Sequence, residues 1–317
     1  MKKILITRKL IKSSEDYALK IFNTKLNLED KLLTQEEIIT KSKDCDGILS
    51  AITDKLDANT ISKLSDSVKI ISNFAVGFGN IDIKAARKRN IIVTNTPDVL
   101  TDATAEIAML ILLGAARRAK EGIEWANKKN WKWAAYFLIG KQLSGSRLGI
   151  LGMGRVGRAV ADRAKSFGMT IHYHNRSKLD KNLEKGAIYH KSLESLFSVS
   201  DFFSINCPAT KETKRIINKN SLKHFPDGAV LSNSARGDMI DDDAMVEALK
   251  NGKIHSLGLD VYNGEPSIHP EYLSLPNVYV LPHLGSATKK TRIAMADLAI
   301  DNIDEFFKNS KCKNTVN

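Results

Sequence analysis

Residues 147–157 read RLGILGMGRVG, a short apolar strand that breaks into Gly152, Gly154 and Gly157. At that spacing Gly152 allows the tight strand-to-helix turn, Gly154 lets backbone approach a pyrophosphate, and Gly157 lets the helix pack closely on the sheet. The N-terminus of the following helix then faces the diphosphate. Three such glycines also arise in a merely tight turn, but here the amphipathic stretch VGRAVADRAKSFG (156–168) and a second strand, MTIHYH (169–174), come next. The unit therefore reads as a dinucleotide site. Roughly 145 residues come before it, so a whole domain precedes the cofactor fold.

At 317 residues and 43% hydrophobic content the chain suggests about two globular domains, each with its own core. The longest apolar run, IAMLILLGAA at 107–116, is too short for a bilayer and reads as a buried helix that continues past Arg117 and Arg118. The N-terminal MKKILITRKL lacks a long apolar segment and a small-residue cleavage site, so it reads as a first strand, with no export implied. Cys45, Cys207 and Cys312 are odd in number and lack partners at metal spacing, which suits reduced cytoplasmic thiols and argues against a zinc site or any other metal. The formal charge is +12, yet the lysines are scattered and no run of five basic residues occurs. Solvated faces account for it, nucleic-acid and membrane partners are not expected, and the positive field helps to gather small anions.

Along the first part, KILIT, SEDYALKIF, DGILS, ANTISKLS, KIISNFA, IDIKAARKR and IIVTN alternate as strand and helix patterns at α/β spacing. After Pro97 a helical stretch is expected from Thr101 to about Lys128, long enough to link domains and to serve as a subunit contact. Further strands are expected at 147–151, 169–174, 201–206, 229–233, 255–260 and 278–281, and TRIAMADLAIDNIDEFFK at 291–308 as a C-terminal helix that folds back on the first domain.

Past the glycine turn, SARGDMIDDDAMVEAL (234–249), GLDVYNGEP (258–266) and LPHLGSAT (281–288) stand out, with NFAVGFGNIDI (73–83) and NTPDVLTDATAE (95–106) earlier. In their order and spacing these motifs closely resemble the D-isomer-specific 2-hydroxyacid dehydrogenases, in particular the glyoxylate/hydroxypyruvate reductase branch, over essentially the whole chain. The resemblance implies two Rossmann-like α/β parallel-sheet domains. One is a flavodoxin-like substrate domain over 1–99 and 287–317, and the other an inserted dinucleotide-binding domain over 100–286.

It also implies catalytic Arg236, Glu265 and His283. Reducing a 2-oxo acid needs a fixed cation on the carboxylate and carbonyl, which suits the planar fork of Arg. It needs an acid near neutral pH for the developing alkoxide, which suits His. A carboxylate must orient that imidazole and favour its protonated form, which suits Glu. Taken singly, Arg236 also reads as a surface charge, Glu265 as a turn residue and His283 as a packed loop residue. All are expected at strand ends, where such folds place their sites.

For the substrate, the resemblance points to the Val76 and Gly77 amides as a carboxylate cradle, with the loop at Ser50, Ala51 and Ile52 closing over it, although a plain βα turn would look alike. Gly79 is a mild departure, since relatives often carry Asp or Asn there. For the cofactor it implies Thr104, Arg155 and Val156 near the pyrophosphate, Cys207 and Pro208 beside the adenosine, Ala235 and Asp260 near the nicotinamide, and Gly285 as a further cofactor contact, Asp260 also reading as a capping residue. Asn175 stands where NAD-dependent relatives carry an aspartate, and Arg176 and Ser177 follow, so NADPH is expected in preference to NADH, with NAD possible. Trp131 and Trp133 resemble a tryptophan pair of relatives and read as core or interface packing, or as an aromatic reaching a neighbouring subunit; the spacing is one residue shorter than in close relatives.

The expected protein is a cytoplasmic homodimer that reduces a small 2-oxo acid, glyoxylate or hydroxypyruvate, to the D-hydroxy acid. D-lactate-type and 3-phosphoglycerate-type dehydrogenases, and a nicotinamide-sensing corepressor-like binding protein, are the alternatives. An L-lactate or malate dehydrogenase would carry its glycine turn near the N-terminus.

Overall fold

The computed structural model describes all 317 residues. In chain order the elements are β1 (Lys3–Ile6), α1 (Lys12–Ile21), β2 (Asn23–Lys25), α2 (Gln35–Lys41), β3 (Gly47–Ala51), α3 (Ala58–Lys63), β4 (Ile70–Phe74), α4 (Ile83–Lys88) and β5 (Ile92–Thr94). There follow α5 (Thr101–Ala116), α6 (Ala119–Lys128), β6 (Arg147–Leu151), α7 (Arg155–Ser166), β7 (Thr170–His174), α8 (Lys181–Glu184), β8 (Ile188–Tyr189) and α9 (Leu193–Val199). The chain continues with β9 (Phe202–Ile205), α10 (Lys219–Leu222), β10 (Ala229–Asn233), α11 (Asp242–Lys250), β11 (Ile254–Leu259), α12 (Pro270–Ser274), β12 (Val278–Val280) and the C-terminal helix Lys289–Asn309. These elements form two compact units, Met1–Leu100 with Ser286–Asn317, and Thr101–Gly285.

The first unit holds a five-stranded sheet in the order β2-β1-β3-β4-β5, with every pairing between its strands parallel, which is the flavodoxin-like arrangement. Its central strands, ILI of β1, GILSA and IISN, are buried along their length, as a sheet covered on both faces requires. One face packs Ile38, Ile61, Leu64 and Ala86 of the intervening helices, and the other Ala18 of α1 with Ala296, Ala299, Ile300 and Ile303 of the C-terminal helix. That helix does fold back on the first sheet. Beyond it, Thr315 bridges Thr94 in antiparallel sense and the Val316 N–H donates to the Val93 carbonyl at 2.9 Å, covering the edge of β5.

The second unit holds seven parallel strands ordered β12-β11-β10-β9-β6-β7-β8, a doubly wound sheet whose strand order reverses between β6 and β9. Ligands in such sheets bind outside the carboxyl ends of the strands, at the switch point. The glycine turn follows β6 there.

The expectation of one helix to about Lys128 is overturned: α5 ends at Ala116, and Arg118 takes a left-handed φ of 54° before α6. The Ala116 carbonyl accepts from the Lys141 N–H at 2.8 Å, so it is lost to any continuing helix. Gly140 lies so close that a Cβ there would stand 2.5 Å from that same oxygen. No helix of the chain is long and apolar enough to cross a membrane.

Candidate active site

At the glycine turn Gly152 has a φ of 92°, and a Cβ on it would stand 2.5 Å from the Cys207 N, while one on Gly157 would meet the Gly152 carbonyl at 2.1 Å. Only glycine fits either place. A Cβ on Gly154, by contrast, would meet nothing within 4 Å. Gly154 is the N-cap of α7 and supplies no side-chain cap, so the helix opens onto free space with backbone donors and the positive end of its dipole. Beside it Asn206 keeps a buried, unpartnered Oδ1, and Cys207 is pushed up to about 11 by burial, leaving an apolar neutral thiol. A polar rim, an apolar wall and an anion-favouring helix end fit a dinucleotide.

At the end of β7 the Asn175 Oδ1 accepts from the Met153 N–H at 2.6 Å. That bond ties the second strand to the glycine turn and orients the amide, because the N–H needs an acceptor. Arg176 and Ser177 follow, both exposed.

Arg236, Glu265 and His283 lie in the loops after β10, β11 and β12, three neighbouring strand ends of one sheet. The His283 Nδ1 hydrogen-bonds the Glu265 Oε2 at 2.7 Å, with the side chains 39% and 32% exposed, so the pair is open to a ligand. The other carboxylate oxygen of Glu265 accepts from the Tyr262 N–H at 2.9 Å. Burial alone would raise the Glu265 carboxyl; the hydrogen bonds from His283 and Tyr262 and the charges of His283 and Arg236 outweigh it and hold the group below its ordinary range. Glu265 is an anion that faces the imidazole, and the ring's Nε2 is left for chemistry.

His283 has a left-handed φ of 55°, uncommon for a side chain of its size. The loop around it is over-determined. The His283 N–H donates to the Asp260 carbonyl at 2.9 Å, and the Asp260 carboxylate accepts from the Leu284 and Gly285 N–H groups at 2.7 and 2.8 Å. Asp260 is 1% exposed, and burial pushes its carboxyl up against those bonds. Its capping role is thus visible: both oxygens are committed to the loop that carries the imidazole. The Thr104 hydroxyl donates to the Gly285 carbonyl at 3.1 Å, fastening the same loop to α5.

On the Arg236 side, the Asn233 amide donates to the Arg236 carbonyl at 2.7 Å and its Oδ1 accepts from the Ala235 N–H at 2.9 Å. Burial holds the guanidinium below its ordinary value, opposed by the charges of Glu265 and Asp238, and an Arg in this setting stays charged. Two residues that sequence reasoning passed over join the loops. A Cβ on Gly237 would stand 1.8 Å from the Tyr262 carbonyl carbon, so the Arg236 loop lies directly on the Glu265 loop. The Tyr262 hydroxyl donates to the Leu281 carbonyl, two residues before His283. Glycine after the arginine and tyrosine after Asp260-Val261 were the readable signals.

In the first unit, the Val76–Gly77 segment follows β4 and the Ser50–Ala51–Ile52 segment ends β3, on neighbouring strands. Val76 and Ile52 are exposed, and the Ala51 N–H donates to the Asp54 carboxylate at 2.8 Å. Pro208 is exposed next to Cys207. Trp131 and Trp133 lie in no core; both are exposed, Trp133 at 83%.

Residues 109–285 match the family model described as "D-isomer specific 2-hydroxyacid dehydrogenase, NAD binding domain". The chain is 40% identical over 309 residues to a glycerate dehydrogenase of Hyphomicrobium methylovorum, covering 96% of each chain. It is 38% identical over 320 residues to a glyoxylate reductase of Thermococcus litoralis, covering 99% of this chain and 96% of the relative. Among solved structures, an NADPH-dependent glyoxylate/hydroxypyruvate reductase of Sinorhizobium meliloti in complex with NADP and malonate superposes with a TM-score of 0.88 at 32% identity, over 99% of this chain and 96% of that one. With a nicotinamide-dinucleotide domain matched over more than half its length and relatives matched end to end, this chain belongs to the D-isomer specific 2-hydroxyacid dehydrogenase family of oxidoreductases.

Proposed function

We propose that this protein reduces glyoxylate and hydroxypyruvate to glycolate and D-glycerate, with His283 as proton donor. The observation that carries the reading is the 2.7 Å His283–Glu265 pair on strand ends adjacent to that of Arg236. Glu265 accepts a hydrogen bond from the Nδ1–H and fixes the ring, and the proton on Nε2 passes to the oxygen of the substrate carbonyl as it becomes a hydroxyl. Arg236 polarises that carbonyl and holds the carboxylate with its fork. The Val76 and Gly77 amides cradle the carboxylate, and the Ser50–Ile52 loop covers it. The nicotinamide, when bound, supplies the hydride. Gly152, Gly154, Arg155, Val156 and Gly157 hold its diphosphate at the start of α7, and Cys207 and Pro208 line the adenosine. Ala235 borders the nicotinamide, while Thr104 and Asp260 act by fixing the loop through Gly285. The substrate domain is the sheet of residues 1–99 with the segment 287–317, and residues 100–286 carry the cofactor.

NADPH is the preferred cofactor. With Oδ1 of Asn175 committed to Met153, the amide presents an NH₂ donor toward the ribose, with no carboxylate to repel a 2′-phosphate, and Arg176 and Ser177 add a cation and a hydroxyl. The Thr210 hydroxyl, a backbone N–H and then the Arg176 charge hold the Glu212 carboxyl low, so Glu212 lies within reach of that cation. The relative solved with NADP supports this choice. The protein works as a homodimer, supported by the exposed apolar side chains of Ile123, Trp131, Trp133, Tyr136 and Ile139 along α6 and the loop after it. Its three free thiols suit the cytoplasm. A panel of 2-oxo acids assayed with NADPH and with NADH tests the whole reading; background turnover throughout would favour a cofactor-sensing binding protein.

A further inference from the structure

The carbonyls of Ala75, Val76 and Gly77 are all taken by buried donors. The Thr96 N–H donates to Ala75 at 3.0 Å, the Asn95 Nδ2 to Val76 at 2.8 Å and the Asn73 Nδ2 to Gly77 at 2.9 Å. In a trans peptide the C=O of one residue and the N–H of the next point in opposite directions across a rigid plane. Pinning these carbonyls onto a buried floor therefore turns the N–H groups of Val76, Gly77 and Phe78 away from it. None of those N–H groups donates to a protein acceptor. Three consecutive free amides turned off one floor make a concavity for an anion.

The asparagines of the floor are themselves held in place. Asn73 is fully buried; its Nδ2 also reaches the Asn80 Oδ1 at 3.1 Å, and its Oδ1 accepts from the Ser50 hydroxyl at 3.1 Å. Asn80 in turn donates to the carbonyls of Ala51 and Asp54 at 3.0 and 3.1 Å, which ties the loop after β3 to the same floor. Asn95 is 9% exposed, and its carbonyl accepts from the buried Asn302 amide at 3.0 Å. Each amide has its place fixed before any ligand arrives.

We propose that Asn73 and Asn95 are positioning residues for the substrate carboxylate, aiming the amides of Val76, Gly77 and Phe78, with the Phe78 N–H as a third donor. The inference rests on the reading of Val76–Gly77 as the carboxylate cradle. An asparagine amide both accepts and donates, whereas an aspartate in its place would set an anion against a carbonyl oxygen and release the peptide plane. The effect falls on substrate binding, because neither side chain touches the reacting atoms.

The test pairs kinetics with hydrogen exchange across residues 74–80, using oxamate, a carboxylate mimic of a 2-oxo acid, on the NADPH-bound protein. In Asn95→Asp and Asn73→Ser, KM for glyoxylate is expected to rise about five- to tenfold, the worth of one well-placed hydrogen bond, with NADPH affinity unchanged. Oxamate should slow exchange in this segment of the native chain and do so much less in the variants. If oxamate gives no protection in the native chain, the cradle reading itself fails. If the native chain is protected and folded variants keep both the protection and the native KM, the cradle stands and the positioning role of the asparagines is overturned. A purely structural role would lower the melting temperature without moving KM. Asn95, at the rim of the floor, carries the test alone should Asn73→Ser not fold.

Discussion

Replacing Gly237 with alanine tests how the loops of the site are held together. The added Cβ would stand 1.8 Å from the Tyr262 carbonyl carbon, 2.1 Å from its oxygen and 2.2 Å from the Asn263 N. All three are backbone atoms, so no side chain can swing aside, and ordinary contact requires the loops to part by about 1.5 Å. Arg236 sits on one side of that contact, and Glu265, through the Tyr262 N–H, on the other. Overpacking of this kind costs about 1–3 kcal/mol, which lowers the melting temperature by roughly 2–4 °C per kcal/mol for a unit of this size. The larger effect is on chemistry, since a displacement of about 1 Å at a reacting centre costs roughly 10² in rate. Gly237→Ala should therefore stay folded and bind NADPH, yet lose about two orders of magnitude in kcat/KM for glyoxylate, read from the loss of reduced-nicotinamide absorbance. A folded variant with native kcat/KM would refute the coupling of Arg236 to Glu265 through this contact.

His283→Ala should lower kcat by ~10² or more, as loss of a general acid does, and Arg236→Lys should be poorly tolerated because a point charge cannot hold carboxylate and carbonyl together. Glu265→Gln removes the carboxylate that orients the imidazole through Nδ1, so kcat for glyoxylate should fall by about tenfold or more with NADPH binding unchanged; a native kcat counts against the pairing. The depressed Glu265 carboxyl contributes stability that is present above the range of an unfolded glutamate and is lost as pH falls through its lower folded value. The melting temperature of Glu265→Gln should accordingly fall less than that of the native chain as the pH is lowered through that range. Arg176→Ala should raise KM for NADPH by the worth of a charged hydrogen bond, about 1.5–3 kcal/mol, and leave NADH little changed. Equal weakening of both would exclude a phosphate at Arg176. Cys207, pushed up to about 11, should resist alkylation near neutral pH, and rapid labelling in the folded protein would contradict a neutral, half-buried thiol.

The glycine turn and the strand ends were legible because each leaves a spacing signature, whereas Arg236, Glu265 and His283 were reached only through the resemblance of the motifs that carry them. Gly152 and Gly157 could be nothing else where a Cβ would strike backbone. Strand β6 was readable to its bounds, since apolar residues run unbroken to the turn. Other features leave little trace. Strand β2, Asn23–Lys25, is a short polar edge with no alternation to detect, and β8 spans only Ile188–Tyr189. Helix α2, absent from the sequence reading, carries a Thr34 and Glu37 capping box, a local signal weaker than periodicity over so short a helix. The break at Arg118 could not be read from 117–118 themselves, because its cause is the Lys141 N–H, more than twenty residues on. Asp260 shows the same limit: its residue type suggested a cofactor contact, with a cap as the alternative, and the bonds to Leu284 and Gly285 left no trace in the sequence. The asparagine floor beneath Val76 and Gly77 was invisible for a related reason, since backbone donors have no residue type.

In the proposed mechanism, hydride transfer to a carbonyl carbon whose carboxylate is held, with His283 as proton donor, makes one product hand from a substrate whose reduction creates a stereocentre. Hydroxypyruvate is such a substrate, and chiral separation of the glycerate formed by the purified protein with NADPH is the most direct measurement. D-glycerate in excess, lost with His283→Ala, is the predicted result. L-glycerate, or no product above background from a folded, cofactor-bound protein, would contradict it.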